Sequence, residues 1–417
     1  MLPTWTAAPA DEGAAIAEIK EAICARIERS GRTVAEVFAV VEASIAEQVA
    51  EIRAANDVDG TAWPQVQFEA IASRGFTDDE RALIRQRGCL IVRGHFDHDQ
   101  ARAWDDALAA YLQRNRFVEH YRGAGDEFFG DEKKAPQIFP IYWSRPQMEA
   151  RQSHRMVIVQ RLLNSLWHDS SAAASFDATR SVIYPDRVRR RPAGTTSSGL
   201  APHVDAGTLD LWMKAEYQQA FRHVFDGSIE SFDPWDANGR TDGDQFDGST
   251  MTSVFRTFQG WTALSDMAAD QGVLESIPIP GAIAYLLLRP LLDDVESHDM
   301  CGVSIGRSFW VTDEYHGLLR EGLSRIPGVR AGDSAWWHGD LVHGVAPVTD
   351  QQGWGNVMYI PAAPWCARNE RYAARLGPAI RTGQSPGDFP DENYEVGWID
   401  RFTADDLNDF GRQSMGL

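Results

Sequence analysis

Pro202-His203-Val204-Asp205 and, far downstream, Gly339-Asp340-Leu341-Val342-His343 are the two stretches on which the fold is read. Residues spaced i, i+2 on an extended strand point to the same side of a sheet. The residue before a proline is biased towards extended backbone, which places His203 where a strand begins or a loop leaves it. A histidine and a carboxylate on one side, joined by a histidine from a distant strand, make the 2-His-1-carboxylate set. That set holds one face of an octahedral ferrous ion and leaves positions open for other ligands. His-x-Asp also occurs by chance, so the flanking sequence has to support it. Two histidines compete for the distal place: His338, after two tryptophans, and His343, after a Gly-Asp turn.

Outward from these stretches the chain reads as short strands and turns. Residues 181–192 alternate and are β-branched at their start, and residues 192–199 form a Pro/Gly/Ser/Thr turn. Ser334-Ala-Trp-Trp-His338 reads as a buried strand, Gly339-Asp340 as a hairpin-type break, and residues 341–347 as the next extended piece. The order of these pieces resembles the Fe(II)/2-oxoglutarate-dependent oxygenases of the phytanoyl-CoA hydroxylase type. Gly260-Trp-Thr-Ala-Leu-Ser-Asp266 and Gly272-Val-Leu-Glu-Ser-Ile-Pro-Ile-Pro280 fall in the matching places. More narrowly, the chain resembles the YbiU family, also known as DUF1479, over nearly its whole length. The strings behind that likeness are Arg187-Val-Arg-Arg-Arg-Pro192, Ser253-Val-Phe-Arg-Thr-Phe-Gln-Gly-Trp261, Tyr285-Leu-Leu-Leu-Arg-Pro290, Val357-Met-Tyr-Ile-Pro-Ala-Ala-Pro364 and Ser385-Pro-Gly-Asp-Phe-Pro390.

The resemblance implies a mainly β, α+β chain. Its core would be a double-stranded β-helix (a jelly-roll, cupin-like barrel) with an N-terminal helical region and a C-terminal helical tail. It also implies Fe(II) held by His203, Asp205 and His343 at the open end, leaving His338 as a core residue. The co-substrate would be 2-oxoglutarate, and a C–H bond of the substrate would be hydroxylated by dioxygen with release of succinate and CO2. The resemblance supplies no substrate; the acidic surface, the arginines and the long 226–250 stretch favour a small polar or anionic metabolite. Relatives place an arginine for the distal carboxylate of the keto acid a short way downstream of the distal histidine. Here no Arg or Lys lies between His343 and Asn356. Arg256, on the strand leading into Trp261, and Arg289, at the end of the apolar run 284–288 read as a strand, where a cation is more often just solvated, are the substitutes considered. Arg187, Arg189 and Arg191 alternate and share one face of a regular strand, either a solvated edge or an inward row for an anionic substrate. Tyr184 and Thr208 are further ligand contacts considered. The missing arginine keeps a cupin-type metal hydrolase or isomerase, and a non-catalytic ligand-binding barrel, as alternatives.

Size and composition bound the rest. A chain of 417 residues buries a substantial core. A net charge of −20 argues against non-specific binding to nucleic acid or anionic membrane, because phosphate backbones demand a basic footprint. Fourteen tryptophans, most of them after residue 200, suit an aromatic-lined barrel. Four scattered cysteines without a C-x-x-C pair read as reduced thiols, there is no secretory signal or membrane span, and a cytoplasmic protein is expected.

Helical spacing of apolar residues from 13 to 55, with Thr33 as a cap, predicts two amphipathic helices forming an N-terminal flank over 1–70, and residues 55–60 read as a linker. The oxygenase domain is expected over 71–417, with its barrel over about 178–364. The part of the chain before the barrel is expected to supply helices and one strand, Cys89-Leu-Ile-Val-Arg93. The acidic, glycine-rich stretch 226–250 is too long for an ordinary connection and is expected to form a lid.

Overall fold

The structure, a computed structural model, describes residues 1–123, 136–171, 175–205, 208–247 and 252–417. Its strands are β1 (Gln65–Gln67), β2 (Cys89–Arg93), β3 (Ile138–Phe139), β4 (Phe176–Ser181), β5 (Val188–Arg191), β6 (Leu200–Val204) and β7 (Phe258–Ala263). They continue with β8 (Leu274–Ser276), β9 (Phe309–Trp310), β10 (Ser324–Arg325), β11 (Ser334–His338), β12 (His343–Val345), β13 (Gly355–Tyr359) and β14 (Pro364–Cys366). Seven strands pair in the order β1-β2-β11-β7-β13-β5-β3, five in the order β10-β8-β12-β6-β9, and β14 pairs with β4. The architecture is α+β with many helices, so "mainly β" overstates the strands. No strand pairing joins the two large sheets among the described residues.

Side-chain alternation sorts the apolar residues of the two large sheets into three cores, one between the sheets and one on each outer face. Leu90, Val92, Val188, Phe258, Trp336 and Met358 share a core with the helices that cover the outer face of the seven-stranded sheet. Cys89, Ile91, Trp261, Ala263, Ala335, Trp337 and Val357 point the other way and meet Val273, Leu274 and Leu341 between the sheets. Val204, Ile277, Phe309 and Val342 form the outer face of the smaller sheet, covered by the N-terminal helices.

Those helices are α1 (Glu12–Glu28) and α2 (Val34–Asp59). Thr33 starts α2 with a capping box: its hydroxyl accepts from the Glu36 N–H at 3.2 Å, and the Glu36 carboxylate accepts from the Thr33 N–H at 2.7 Å. The 55–60 stretch expected as a linker is the last turn of α2, ended by Gly60 at φ 73°. Asn56 and Thr61 then donate to the Leu323 and Arg325 carbonyls, sewing the flank to the β10 edge.

Other boundaries also differ from expectation. β1 and β3 join β2 in the large sheet, so the part of the chain before the expected barrel supplies three of its strands rather than one. The run ending at Arg289 is a helix, Ala282–Leu288, not a strand; an apolar run buried on every side carries no period to tell the two apart. Gly339-Asp340 is not a hairpin turn, since β11 and β12 lie in different sheets and the turn is the corner between them. The 226–250 stretch is no loose lid across its described part. Trp235 and Phe246 are buried in the two outer cores, and Arg240 forms a buried two-pronged pair with Asp340 at 2.9 and 2.6 Å. Residues 248–250 of it lie outside the described residues. Among the described residues no helix is long and apolar enough to cross a membrane.

Candidate metal centre

β12 lies between β8 and β6 in the smaller sheet, and its register sets His343 directly opposite His203. The two rings, far apart in the chain, are cross-strand neighbours with centroids 4.6 Å apart. The register shifts just beyond this pair, between His343 and Val345. That irregularity accommodates Pro202, which has no N–H for the ladder. It also brings β6 so close that a Cβ on Gly344 would sit 2.6 Å from the Leu200 carbonyl oxygen.

Asp205 follows the end of β6 on the same side as His203, with its Oδ1 3.1 Å from His203 Nε2 and its Oδ2 3.6 Å from His343 Nε2. Each imidazole is tied at its other nitrogen: His203 Nδ1 donates to the Ala201 carbonyl at 2.8 Å, and His343 Nδ1 to the Leu341 carbonyl at 2.9 Å. A carbonyl only accepts, so each Nδ1 carries a proton and Nε2 is the nitrogen turned to Asp205, a donor to its carboxylate when protonated and a metal ligand when not. Burial works to raise the Asp205 carboxyl, but the two imidazoles outweigh it and hold it well below the usual carboxylate range.

The donor atoms of the three side chains all lie within 4.8 Å of one another, and among the described residues this is the one cluster of three such groups. Neighbouring ligands on an octahedral ion with bonds of about 2.1 Å stand about 3 Å apart, the spacing His203 and Asp205 show. Two imidazoles with their outer nitrogens fixed by backbone, together with one carboxylate, are a donor set that fits a divalent transition metal. His338 takes no part. It points to the outer face of the large sheet, stacked 4.5 Å from Trp167 and held neutral by burial, which lowers its pKa to about 4.

The cluster opens into a cavity of about 220 Å³ between the two sheets. Arg187, Arg189 and Arg256 line it; Arg191 and Arg289 do not. Arg191 lies one step further along β5, where it donates to the Gln271 and Gly272 carbonyls and closes the end of the sheet pair. Gly272, at φ 60°, is required there, because a Cβ would come within 2.8 Å of that guanidinium. Arg289 is neither in the cavity nor solvated: it is buried against Asp294 at 2.9 and 2.7 Å and against the Tyr315 carbonyl. Thr208 turns away too, with its hydroxyl on Asp210, whereas Tyr184 lines the cavity.

Arg189 is 8% exposed, yet its partners are the Gly355 carbonyl and the Met267 sulfur, and among the described residues no carboxylate lies within 4 Å of it. Arg256 faces the Tyr184 ring at 5.8 Å and likewise has no acid within that reach among the described residues. Trp337 Nε1 and Gln259 Nε2, on facing residues of β11 and β7, are buried without a hydrogen-bond partner and also line the cavity. Sequence reasoning missed these two, and it missed Asp388 and Phe389, which wall the cavity from a segment beyond the sheets. Strand alternation could have found Trp337 and Gln259. For Asp388 the one signal was its place between Pro386 and Pro390, which marks an ordered turn but not where it lands.

Comparison with known proteins gives a consistent family. The Gig2-like family model matches residues 11–417. The uncharacterized protein YbiU of Escherichia coli (strain K12) is 49% identical over 413 residues, covering 98% of this chain and 97% of that protein. The crystal structure of a putative oxidoreductase from Salmonella typhimurium LT2 is 49% identical, covers 99% of both chains and superposes with a TM-score of 0.95. GlcNAc Inducible Gene 2 of Candida albicans, at 22% identity, shares the fold with a TM-score of 0.76, covering 100% of this chain and 90% of that one.

Proposed function

This chain belongs to the Gig2-like family, and on that footing we propose that it is an Fe(II)- and 2-oxoglutarate-dependent oxygenase acting on a small polar molecule. The observation that carries the reading is the cluster of His203, Asp205 and His343, with both Nδ1 atoms tied to backbone and both Nε2 atoms turned to one carboxylate. Two sheets facing across a central cavity support the finer reading of the fold as a double-stranded β-helix, with the metal at its open end.

In this reading His203, Asp205 and His343 hold Fe(II). When bound, the ion with its keto acid supplies oxidative decarboxylation to succinate and CO2, coupled to hydroxylation of a C–H bond. The chain holds the ligands on one face, excludes water with Leu200, Leu274, Trp261 and Trp337, and orients the two organic substrates.

Arg189 supports 2-oxoglutarate as the co-substrate. β5 and β13 pair so that Arg189 stands opposite Val357, on the strand that follows β12 and its His343. That is the stretch where relatives are expected to carry their arginine, so the guanidinium missing from one strand is offered by the next. A buried guanidinium without an acid partner invites a carboxylate, which it binds in two-pronged fashion. Arg189 therefore takes the role first considered for Arg256 and Arg289. The hydrolase or isomerase alternative rested on the missing arginine and loses that support.

The test is anaerobic titration of the iron-loaded protein with 2-oxoglutarate. A weak visible charge-transfer band is expected, followed by succinate on admission of air. Bound iron that gives neither would sink the proposal.

A further inference from the structure

Asp388 is the feature the proposed chemistry leaves unused. Its side chain is fully buried, its Oδ2 accepts from the Ser253 N–H at 2.7 Å, and its Oδ1 has no hydrogen-bond partner. The nearest cation, Arg375 Nη2, stands 3.8 Å from that oxygen on a half-exposed side chain. Asp388 and Arg256 both line the cavity with Tyr184, whose ring lies 5.8 Å from the Arg256 guanidinium and 5.7 Å from the ring of Phe389, the residue after Asp388. Among the described residues the cavity wall thus holds a carboxylate oxygen without a hydrogen-bond donor and a guanidinium without an acid within 4 Å.

Charge balance points the same way. Among the described residues that line the cavity, Arg187, Arg189 and Arg256 offset Asp186, Asp205 and Asp388, and Arg375 beside Asp388 is a half-exposed charge outside that lining. A divalent ion and a dianionic keto acid offset each other as well. A second substrate with net charge would leave that charge uncompensated in a buried chamber, which is unfavourable. A molecule with one cationic and one anionic group avoids that cost.

Resting on the oxygenase reading, we infer that the second substrate is a small zwitterion, its ammonium on Asp388 and its carboxylate on Arg256. This replaces the anionic substrate that an inward arginine row suggested, because two of the cavity acids, Asp186 and Asp388, come from segments outside the strands.

The test is succinate release by the iron-loaded full chain in air with 2-oxoglutarate. The standard amino acids are added in three forms: free zwitterion, N-acetyl anion and carboxamide cation. At least one free amino acid should raise succinate release tenfold or more over the rate without additions, with its two blocked forms at least tenfold less effective. Asp388→Asn should raise the KM of that amino acid at least tenfold and narrow its advantage over the N-acetyl form. Stimulation by blocked forms equal to that by free ones, or by no free form, overturns the inference while leaving the oxygenase reading in place. No succinate under any condition overturns both.

Discussion

At the residue scale the decisive property is which atom each imidazole presents. Because the Ala201 and Leu341 carbonyls fix the two Nδ1 protons, His203→Ala removes a ligand that nothing nearby replaces. Bound iron after purification, and succinate release, should both fall to background; normal succinate from that variant would refute the assignment. Arg189→Met asks a separate question. A hydrogen bond to a charged group contributes about 1.5–3 kcal/mol, so the KM for 2-oxoglutarate should rise roughly ten- to a hundredfold with iron content unchanged. Arg256→Met should leave that KM within about threefold. The reverse result would return the anchor to Arg256. Strand alternation read only half of the cluster: it put His203 and Asp205 on one side of a strand, while the choice of His343 over His338 came from the family resemblance. Arg189 was considered with Arg187 and Arg191 for the substrate; its place opposite Val357, on which the proposed anchor rests, is a strand register, and register is set by tertiary pairing.

At the element scale the corner between β11 and β12 matters most, since it carries the chain from one sheet to the other just before His343. Asp340 is pinned there by Arg240, whose guanidinium also lies 5.4 Å from the Trp167 ring and 5.0 Å from Phe221. Asp340→Ala would strand a buried guanidinium and should cost about 3–5 kcal/mol in denaturant unfolding. A loss below about 1 kcal/mol would mean that the pair is solvated in solution. The same corner shows what sequence could and could not say about elements. β2 and β11 were legible to the residue, as bulky apolar runs bounded by turn residues. The 226–250 stretch was misread because its composition is that of a loop, while its fixing points, Trp235, Arg240 and Phe246, are single residues with distant partners. The helix Ala282–Leu288 was misread for the opposite reason, being apolar all round.

At the scale of the whole molecule, Glu395 ties distant parts together. It accepts from the Tyr111 hydroxyl at 2.8 Å and from the Tyr142 and Trp143 backbone N–H groups. Burial outweighs these bonds and raises its carboxyl to about 7. The folded state therefore binds this proton more tightly than the unfolded state, so its contribution to stability is fullest below pH 4.5 and is lost as pH rises to about 7. The loss is roughly 3 kcal/mol for a shift of that size. Glu395→Gln should flatten the stability–pH curve in that window; an unchanged slope would show that another group sets it.

The cavity is walled by segments spread from Ile138 to Pro390, and the last of them, with Asp388 and Phe389, follows both sheets in the chain. During synthesis, a ribosome-bound chain that has already made both sheets still lacks Asp388 and Phe389. His203, Asp205 and His343 then face an unfinished chamber open to bulk water. For the proposed iron centre, productive loading thus belongs after this region has left the ribosome, and a nascent chain stalled with Cys366 just outside the exit tunnel should capture metal without retaining a closed pocket around it.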